Sequence, residues 1–378
     1  MDTPNPTHQP TPSHQPNPTH QPPHSPHPDP SPQPNPHPDL TATATHAVAG
    51  QLIEQSLGHL YSAALRTAAL LHLADHLAAG PRTAAELAQL TGTDTAFLRR
   101  CLRYLAGRAV FSEDGNGAFH LTPAAQFLRT GVPGSLRDAV LMLTDDIFVR
   151  SSSALDETVR TGAPAFPKVF GAPFFEYLKD HSASRALFDT GMAAFSEPVD
   201  ELVAGAYPFP AEGTVVDVGG GRGGLLRHVL LRHPGLTGVL FDQEPALRDH
   251  VLDTADLTGR WRTEPGDFFT AVPEGGEVYL LKHVLHDWAD EAAARILRSC
   301  RRGLAPGGKV LVIDSVPAPG NAPHPGRALD VAMMTIVTGR ERGPKELDEL
   351  FARTGLRRTR ILPTPTFASI VEAAAAPD

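Results

Sequence analysis

The sequence predicts an α/β fold: a doubly wound parallel sheet in the C-terminal half, preceded by a smaller, mainly helical domain. Three observations carry this reading. The strand-like runs TVVDV, GVLFD, VYLLK and KVLVID, all after Thr214, alternate with helix-like segments. That alternation is the pattern of a parallel sheet with crossover helices. The first run leads into VVDVGGGRGG, a glycine-rich turn that opens a helix. Upstream, residues 83–122 read as helix, turn, helix and hairpin, a winged-helix arrangement.

The chain has 378 residues, 41% of them hydrophobic, and a formal net charge of −9. It is long enough for two or three domains, and it offers no basic field for nucleic acid. Residues 1–41 repeat THQP-like pieces rich in proline, with little to bury, so disorder or polyproline structure is expected. Their histidines (His8, His14, His20, His24, His27, His37) are suited to loose metal contact, but a solvated linker explains them as well. Residues 43–79 are rich in Ala and Leu and read as helix buried against a partner. Thr83 and Glu86 make a capping box, TGTD is a turn, and Phe97, Leu98, Cys101, Leu102 and Leu105 form the stripe of the next helix. Asp-Gly and Asn-Gly signals in VFSEDGNGAFHLT mark the hairpin. Residues 122–210 read as helices broken at Pro133, Pro164, Pro167 and Pro173. Two cysteines, Cys101 and Cys300, give no disulfide framework, which fits a reducing cytosol. No basic-then-apolar leader opens the chain and no stretch reaches 18 apolar residues, so neither secretion nor a membrane span is expected.

Gly219, Gly221 and Gly224 satisfy G-x-G-x-x-G, a weak signal by itself. Asp217, on the strand just before them, is the discriminating residue. A pyrophosphate would be repelled by that carboxylate, whereas a ligand carrying an ammonium and a sulfonium would be drawn to it. Asp242 ends the second strand, where an acid reaches ribose hydroxyls, and Asp267 with Phe268 follows the third, suited to an adenine amino group and ring. Each acid alone reads equally as a cap or turn residue; three at successive strand ends favour a ligand site.

The motifs DVGGGRGG, FDQEP, GDFF, LLKHVLHDWADE, LAPGGKVLVIDS and GRERGPKELDELF resemble the small-molecule O-methyltransferases that use S-adenosylmethionine. That family includes plant caffeate and flavonoid enzymes and bacterial antibiotic-tailoring enzymes. The resemblance implies a Rossmann-like methyltransferase domain over 211–378 after a winged-helix dimerisation domain over 42–122. A helical acceptor-pocket region over 123–210 links them. It implies His286 as general base, oriented by Asp314 and Glu341, the former shorter than the glutamate frequent in relatives. It implies cofactor contacts at Gly219, Asp242, Asp267, Phe268 and Lys282, the last through its backbone. Phe188 and Met192 fall at acceptor-contact positions, although a Phe and a Met at i, i+4 equally read as core. His283 is expected to shape the pocket and Trp288 to pack.

The implied partners are an aromatic small-molecule acceptor and a second copy of the chain, with no nucleic acid and no membrane. No metal is implied, since the histidine replaces it. A phenol with pKa near 10 needs a base, because forming phenolate at neutral pH costs about 4 kcal/mol. Three competing functions are weighed. A winged-helix regulator would use Arg99, Arg100, Arg103 and Arg108 on phosphates, against the acidic net charge. A NAD-dependent oxidoreductase would share the glycine motif. A fold relative could have exchanged methyl transfer for hydroxylation.

Overall fold

A computed structural model of the chain describes residues 42–377, with side chains from residue 45. The expectations for residues 1–41 lie outside the described residues. The chain divides into two units after Ser56. In the first, Ala42–Ser56 forms one helix whose Val48, Leu52 and Ile53 are exposed.

The second unit opens with helices Gly58–Leu70 and Leu73–Leu77 and strand β1 (Arg82–Thr83). Helices Ala84–Thr91 and Thr95–Ala106 and the hairpin of β2 (Phe111–Glu113) and β3 (Ala118–Leu121) follow. β1, β3 and β2 pair antiparallel in that order, the winged-helix arrangement expected. Thr83 accepts from the Glu86 amide and Glu86 returns to the Thr83 amide, so the capping box forms. Asp94 caps the next helix through the Ala96 and Phe97 amides. Leu98, Leu102 and Leu105 are buried on its inner face. Phe97 is 70% exposed, so it does not belong to that stripe, and Cys101 sits half-buried at its margin. One face of a helix holds positions i, i+4 and i+7, and Phe97 lies one residue off that row.

A succession of short helices, Arg137–Leu143 to Phe174–Asp180, leads to the 25-residue helix Ser182–Ala206. Seven strands follow: β4 (Gly213–Val218), β5 (Leu236–Asp242), β6 (Trp261–Pro265), β7 (Gly276–Lys282), β8 (Leu304–Ser315), β9 (Leu356–Pro363) and β10 (Ala368–Ala375). Their order is β6-β5-β4-β7-β8-β10-β9, with β10 antiparallel to both neighbours and the other pairs parallel. The chain runs outward from β4 to β6, then returns to place β7 on the other side of β4. The switch point therefore lies between β4 and β7, and ligands of open α/β sheets bind outside the carboxyl ends of such strands.

Alternation along the strands sorts side chains to two cores. Val216, Val218, Tyr279, Leu281, Val310 and Val312 pack with the helix Asp290–Gly303 on one face. Val215, Leu240, Val278, Leu280, Leu311 and Ile313 pack with Val199 and Val203 of the long helix on the other. The same alternation sends Asp217 and Lys282 to the long-helix face and Asp314 to the opposite one.

Candidate active site

Two clusters of ionisable groups stand at the carboxyl ends of β4, β7 and β8, one on each face of the sheet. The first is built on Asp217, which is 2% exposed. After it the chain turns through Gly219, Gly221 and Gly223, all with positive φ, into the helix Gly224–Arg232. A Cβ at Gly220 would lie 2.6 Å from the Asp217 carboxylate, so the loop folds directly over the acid. Lys282 reaches this face but is ion-paired with Asp200 of the long helix. Asp217 thus lacks a cation of its own. Burial, opposed by Lys282 and reinforced by Asp200 and Asp242, lifts its carboxyl to about 7.

Asp242, at the end of β5, accepts from the Gly221 amide at 2.8 Å and from the Gln243 amide at 2.6 Å, and locks the glycine loop to its neighbour. Burial raises this carboxyl too, against those two amides. Asp267 is exposed, and its carboxylate accepts from the Phe269 amide at 2.9 Å and the Thr270 hydroxyl at 3.3 Å, which is turn chemistry. Phe268 leans toward the loop: a Cβ on Gly219 would meet it at 3.5 Å and Val284 at 2.9 Å. A buried, unneutralised acid under a glycine loop, with an aromatic ring alongside, fits a cationic nucleoside ligand.

The second cluster centres on His286, in a short 3₁₀ turn after β7. Its Nδ1 lies 3.0 Å from Glu341 Oε1. Its Nε2 lies 3.6 Å from Asp287 Oδ1, and Asp314 Oδ1 is 4.0 Å from Nδ1. Burial works against charge on this ring, but Asp314, Asp287 and Glu341 outweigh it and lift the imidazole to about 10. Burial raises the carboxyls in turn, Asp314 to about 7 and Asp287 to about 6. The second Glu341 oxygen is buried with no hydrogen-bond partner among the described residues.

Glu341 is delivered by the loop between helices Pro325–Ile336 and Pro344–Ala352. Asp330 accepts from the Glu341 amide at 2.8 Å. Buried Arg342 donates to the Leu285 carbonyl at 2.8 Å and the Trp288 carbonyl at 2.7 Å, and pairs with Asp290. A Cβ on Gly339 would fall 1.8 Å from the His286 carbonyl oxygen, so only glycine lets the two loops touch. Asp314 serves mainly another residue: it accepts from the His283 amide at 3.0 Å. His283 itself has φ 53, uncommon for a residue with a side chain. Its ring stacks on His286 at 5.2 Å and on Phe367 at 5.8 Å, and burial pushes its imidazole well below the usual range.

His283, His286 and Asp314 bring donor atoms within 4.8 Å of one another, a cluster the sequence spacing did not show. His286 Nδ1 already engages Glu341, so an ion bound by this trio would compete with that contact. Phe188 joins an aromatic cluster with Phe174 at 5.2 Å and Phe175 at 6.5 Å. Met192, half-buried, follows one turn later on the same helix. Trp288 packs on Phe175 and Phe269.

Sequence reasoning put Asp217, Lys282, His286 and Asp314 at or just after strand ends, where they lie, and named Glu341 with the histidine, which it meets from a loop between two helices. It missed Asp200 and Arg342. An acid on the buried stripe shared with Val199 and Val203 was the available signal for Asp200. It gave Asp287 no part in the site, whereas Asp287 Oδ1 lies 3.6 Å from the imidazole Nε2.

Comparison with known proteins identifies the family. The O-methyltransferase domain profile matches residues 153–357, and the O-methyltransferase dimerisation domain profile matches 53–131. O-demethylpuromycin-O-methyltransferase of Streptomyces alboniger is 40% identical over 326 residues, covering 84% of this chain and 86% of its own. The solved methyltransferase CalO1 of calicheamicin biosynthesis, in its S-adenosylhomocysteine-bound form, superposes with a TM-score of 0.82 at 43% identity, covering 89% of this chain and all of its own (100%). NcsB1 of neocarzinostatin biosynthesis, solved with S-adenosylmethionine and 2-hydroxy-5-methyl naphthoic acid, gives 0.69 at 38% identity, covering 83% and 96%. A further relative bears a different name: aclacinomycin 10-hydroxylase RdmB of Streptomyces purpurascens, 36% identical over 314 residues, covering 80% and 83%. The chain belongs to the S-adenosylmethionine-dependent O-methyltransferases, the family that modifies antibiotics and other secondary metabolites.

Proposed function

We propose that this enzyme methylates a phenolic hydroxyl of an aromatic secondary metabolite, with His286 as general base. The observation that supports this best is the buried His286–Glu341 pair at 3.0 Å beside the switch point of the sheet. S-adenosylmethionine supplies a methyl group on positively charged sulfur. The chain supplies the rest. Asp217 offers its uncompensated carboxylate to the ligand's cationic end, while Gly219 and Gly220 let the backbone come close. Asp242 and Asp267 stand where ribose and adenine are read, Phe268 covers the base, and the Lys282 backbone closes the cleft. His286 takes the phenolic proton as the oxygen attacks. Glu341 holds the ring and steadies the imidazolium, with Asp314 behind it. Phe188 and Met192 of the long helix line the acceptor side.

An aromatic hydroxy acid bound in NcsB1 is the kind of acceptor this arrangement suits. The dimerisation segment and the exposed apolar residues of Ala42–Ser56 favour a homodimer, and the free cysteines favour a reducing cytoplasm. Among the described residues no helix is long and apolar enough to cross a membrane. Domain limits of 1–41, 42–122, 123–210 and 211–378 follow the change from tail to winged helix to acceptor region to sheet. A hydroxylase reading rests on the similarity to RdmB. The intact His286–Glu341 pair favours methyl transfer instead.

His286→Ala is expected to lower turnover by roughly 10²- to 10⁴-fold, the usual worth of a positioned base, with S-adenosylhomocysteine affinity nearly unchanged. Single-turnover transfer of a labelled methyl group to a panel of phenolic metabolites measures it. Full activity in that variant would overturn the assignment of the base. Incorporation of oxygen without label transfer would establish the hydroxylase reading.

A further inference from the structure

His286 presents both ring nitrogens to carboxylates, Nδ1 to Glu341 at 3.0 Å and Nε2 to Asp287 at 3.6 Å, with Asp314 behind at 4.0 Å. A neutral imidazole carries one N–H and one lone pair, so it can favour only one of two such acids; the other would face a lone pair. Two ionised acids on two nitrogens, the state above pH 7, suit the imidazolium alone. The remaining charges nearby do not change this. Lys282 is spent on Asp200, and Arg342 on Asp290 and two carbonyls. His283 touches the ring but burial keeps it neutral, and Asp330 accepts from the Glu341 backbone. A protonated ring cannot accept a proton from a phenol, so the site as it stands is unarmed.

We infer that the ligand-free enzyme holds His286 as an imidazolium, and that the cationic methyl donor, unlike its neutral-sulfur co-product, expels that proton and arms the base. This rests on the proposed reading in which His286 lies next to the reacting methyl group. A second positive charge in a buried site raises the energy of the imidazolium; the ring can lower it by giving its proton to solvent, whereas the donor cannot shed its charge. The acids around His286 then balance the sulfonium in place of the proton. The lift of the ring to about 10 agrees with a free enzyme that is protonated through the neutral range. Once the methyl has moved, the sulfur is neutral and the ring retains the phenolic proton, so the co-product complex returns to the resting charge.

Proton release on binding tests this without turnover. Binding of S-adenosylmethionine and of S-adenosylhomocysteine is measured by calorimetry at pH 8 in phosphate and in Tris, whose ionisation enthalpies differ. Both ligands carry the same ammonium, so any proton lost at Asp217 cancels in the difference between them. The expected difference approaches one proton released per site. In His286→Gln it should vanish while S-adenosylhomocysteine still binds, which also shows that the variant folds. In Asp287→Asn the free ring holds its proton less tightly, so the difference should fade at a lower pH than in the parent enzyme. Equal proton counts for the two ligands in the parent enzyme overturn the inference, as does a difference that survives in His286→Gln, or release only on adding the acceptor. Failure of either ligand to bind at all would instead break the underlying reading of the cofactor site.

Discussion

At the scale of single residues, the two acids assigned to the histidine do different work. Glu341 sits in hydrogen-bond contact with the ring, whereas Asp314 stands a full ångström farther off and spends an oxygen on the His283 amide. Glu341→Gln preserves an acceptor for Nδ1–H but removes a charge that helps hold the ring protonated. Turnover is expected to fall by about 10- to 10²-fold, less than on removing the base itself. The sign of the pH effect is fixed as well: with a carboxylate gone the ring loses its proton more readily, so the acidic limb of the kcat profile moves to lower pH. Asp314→Asn keeps the contact with the His283 amide and should shift the limb less. Profiles of kcat against pH for the two variants check the order, and an equal or larger shift for Asp314→Asn would contradict it. The sequence foretold this asymmetry only through the shorter arm of aspartate. The left-handed backbone of His283, which Asp314 supports, has no signature in a string of letters.

Among the elements, strands were legible and their neighbours less so. β4, β5, β7 and β8 announce themselves because buried parallel strands are continuous apolar runs, and each carries a polar residue of the site at its last or next-to-last position. Strand order, and with it the meeting of Asp217, Lys282 and Asp200, is a matter of long-range pairing that local pattern does not contain. The two closing antiparallel strands, β9 and β10, also escaped the reading, since they carry charged residues at Arg357, Arg358, Arg360 and Glu372. Gly339 is the sharpest case of an element whose role needs coordinates. Its loop carries Glu341 and lies against the His286 turn so closely that any side chain must push the two apart. Gly339→Ala should therefore lower kcat at least tenfold by drawing Glu341 off the ring, and cost about 1–3 kcal/mol of stability as overpacking does. S-adenosylhomocysteine affinity should hold, because Asp217 and the glycine loop are on the other face of the sheet. Parallel measurement of kcat, that affinity and chemical denaturation distinguishes this from general unfolding; unaltered turnover would show that the loops separate without harm.

For the molecule as a whole, burying acids at the sheet edge trades stability for binding, and Asp217 shows the exchange most simply. Its carboxyl titrates near 7 when folded, against an ordinary value of 3.8, because the fold hides it while Lys282 is committed to Asp200. A group that binds its proton more tightly in the folded state adds stability at low pH, fully present below about 4, and that contribution drains away as pH rises toward 7. The ligand-free enzyme therefore carries at pH 8 the full cost of a buried charge, and at pH 5 only a smaller part of it. Asp217→Asn removes this titration. Relative to the parent, the variant should gain melting temperature at pH 8 and roughly a third as much at pH 5, while losing affinity for S-adenosylmethionine. The same cationic ligand should flatten the difference from the other direction, stabilising the parent more than the variant and more at pH 8 than at pH 5. Melting curves of both proteins at the two pH values, with and without ligand, contain the whole comparison. A variant destabilised equally at both would mean that Asp217 is held by polar contacts the fold itself provides, and that the cofactor's cation is bound elsewhere.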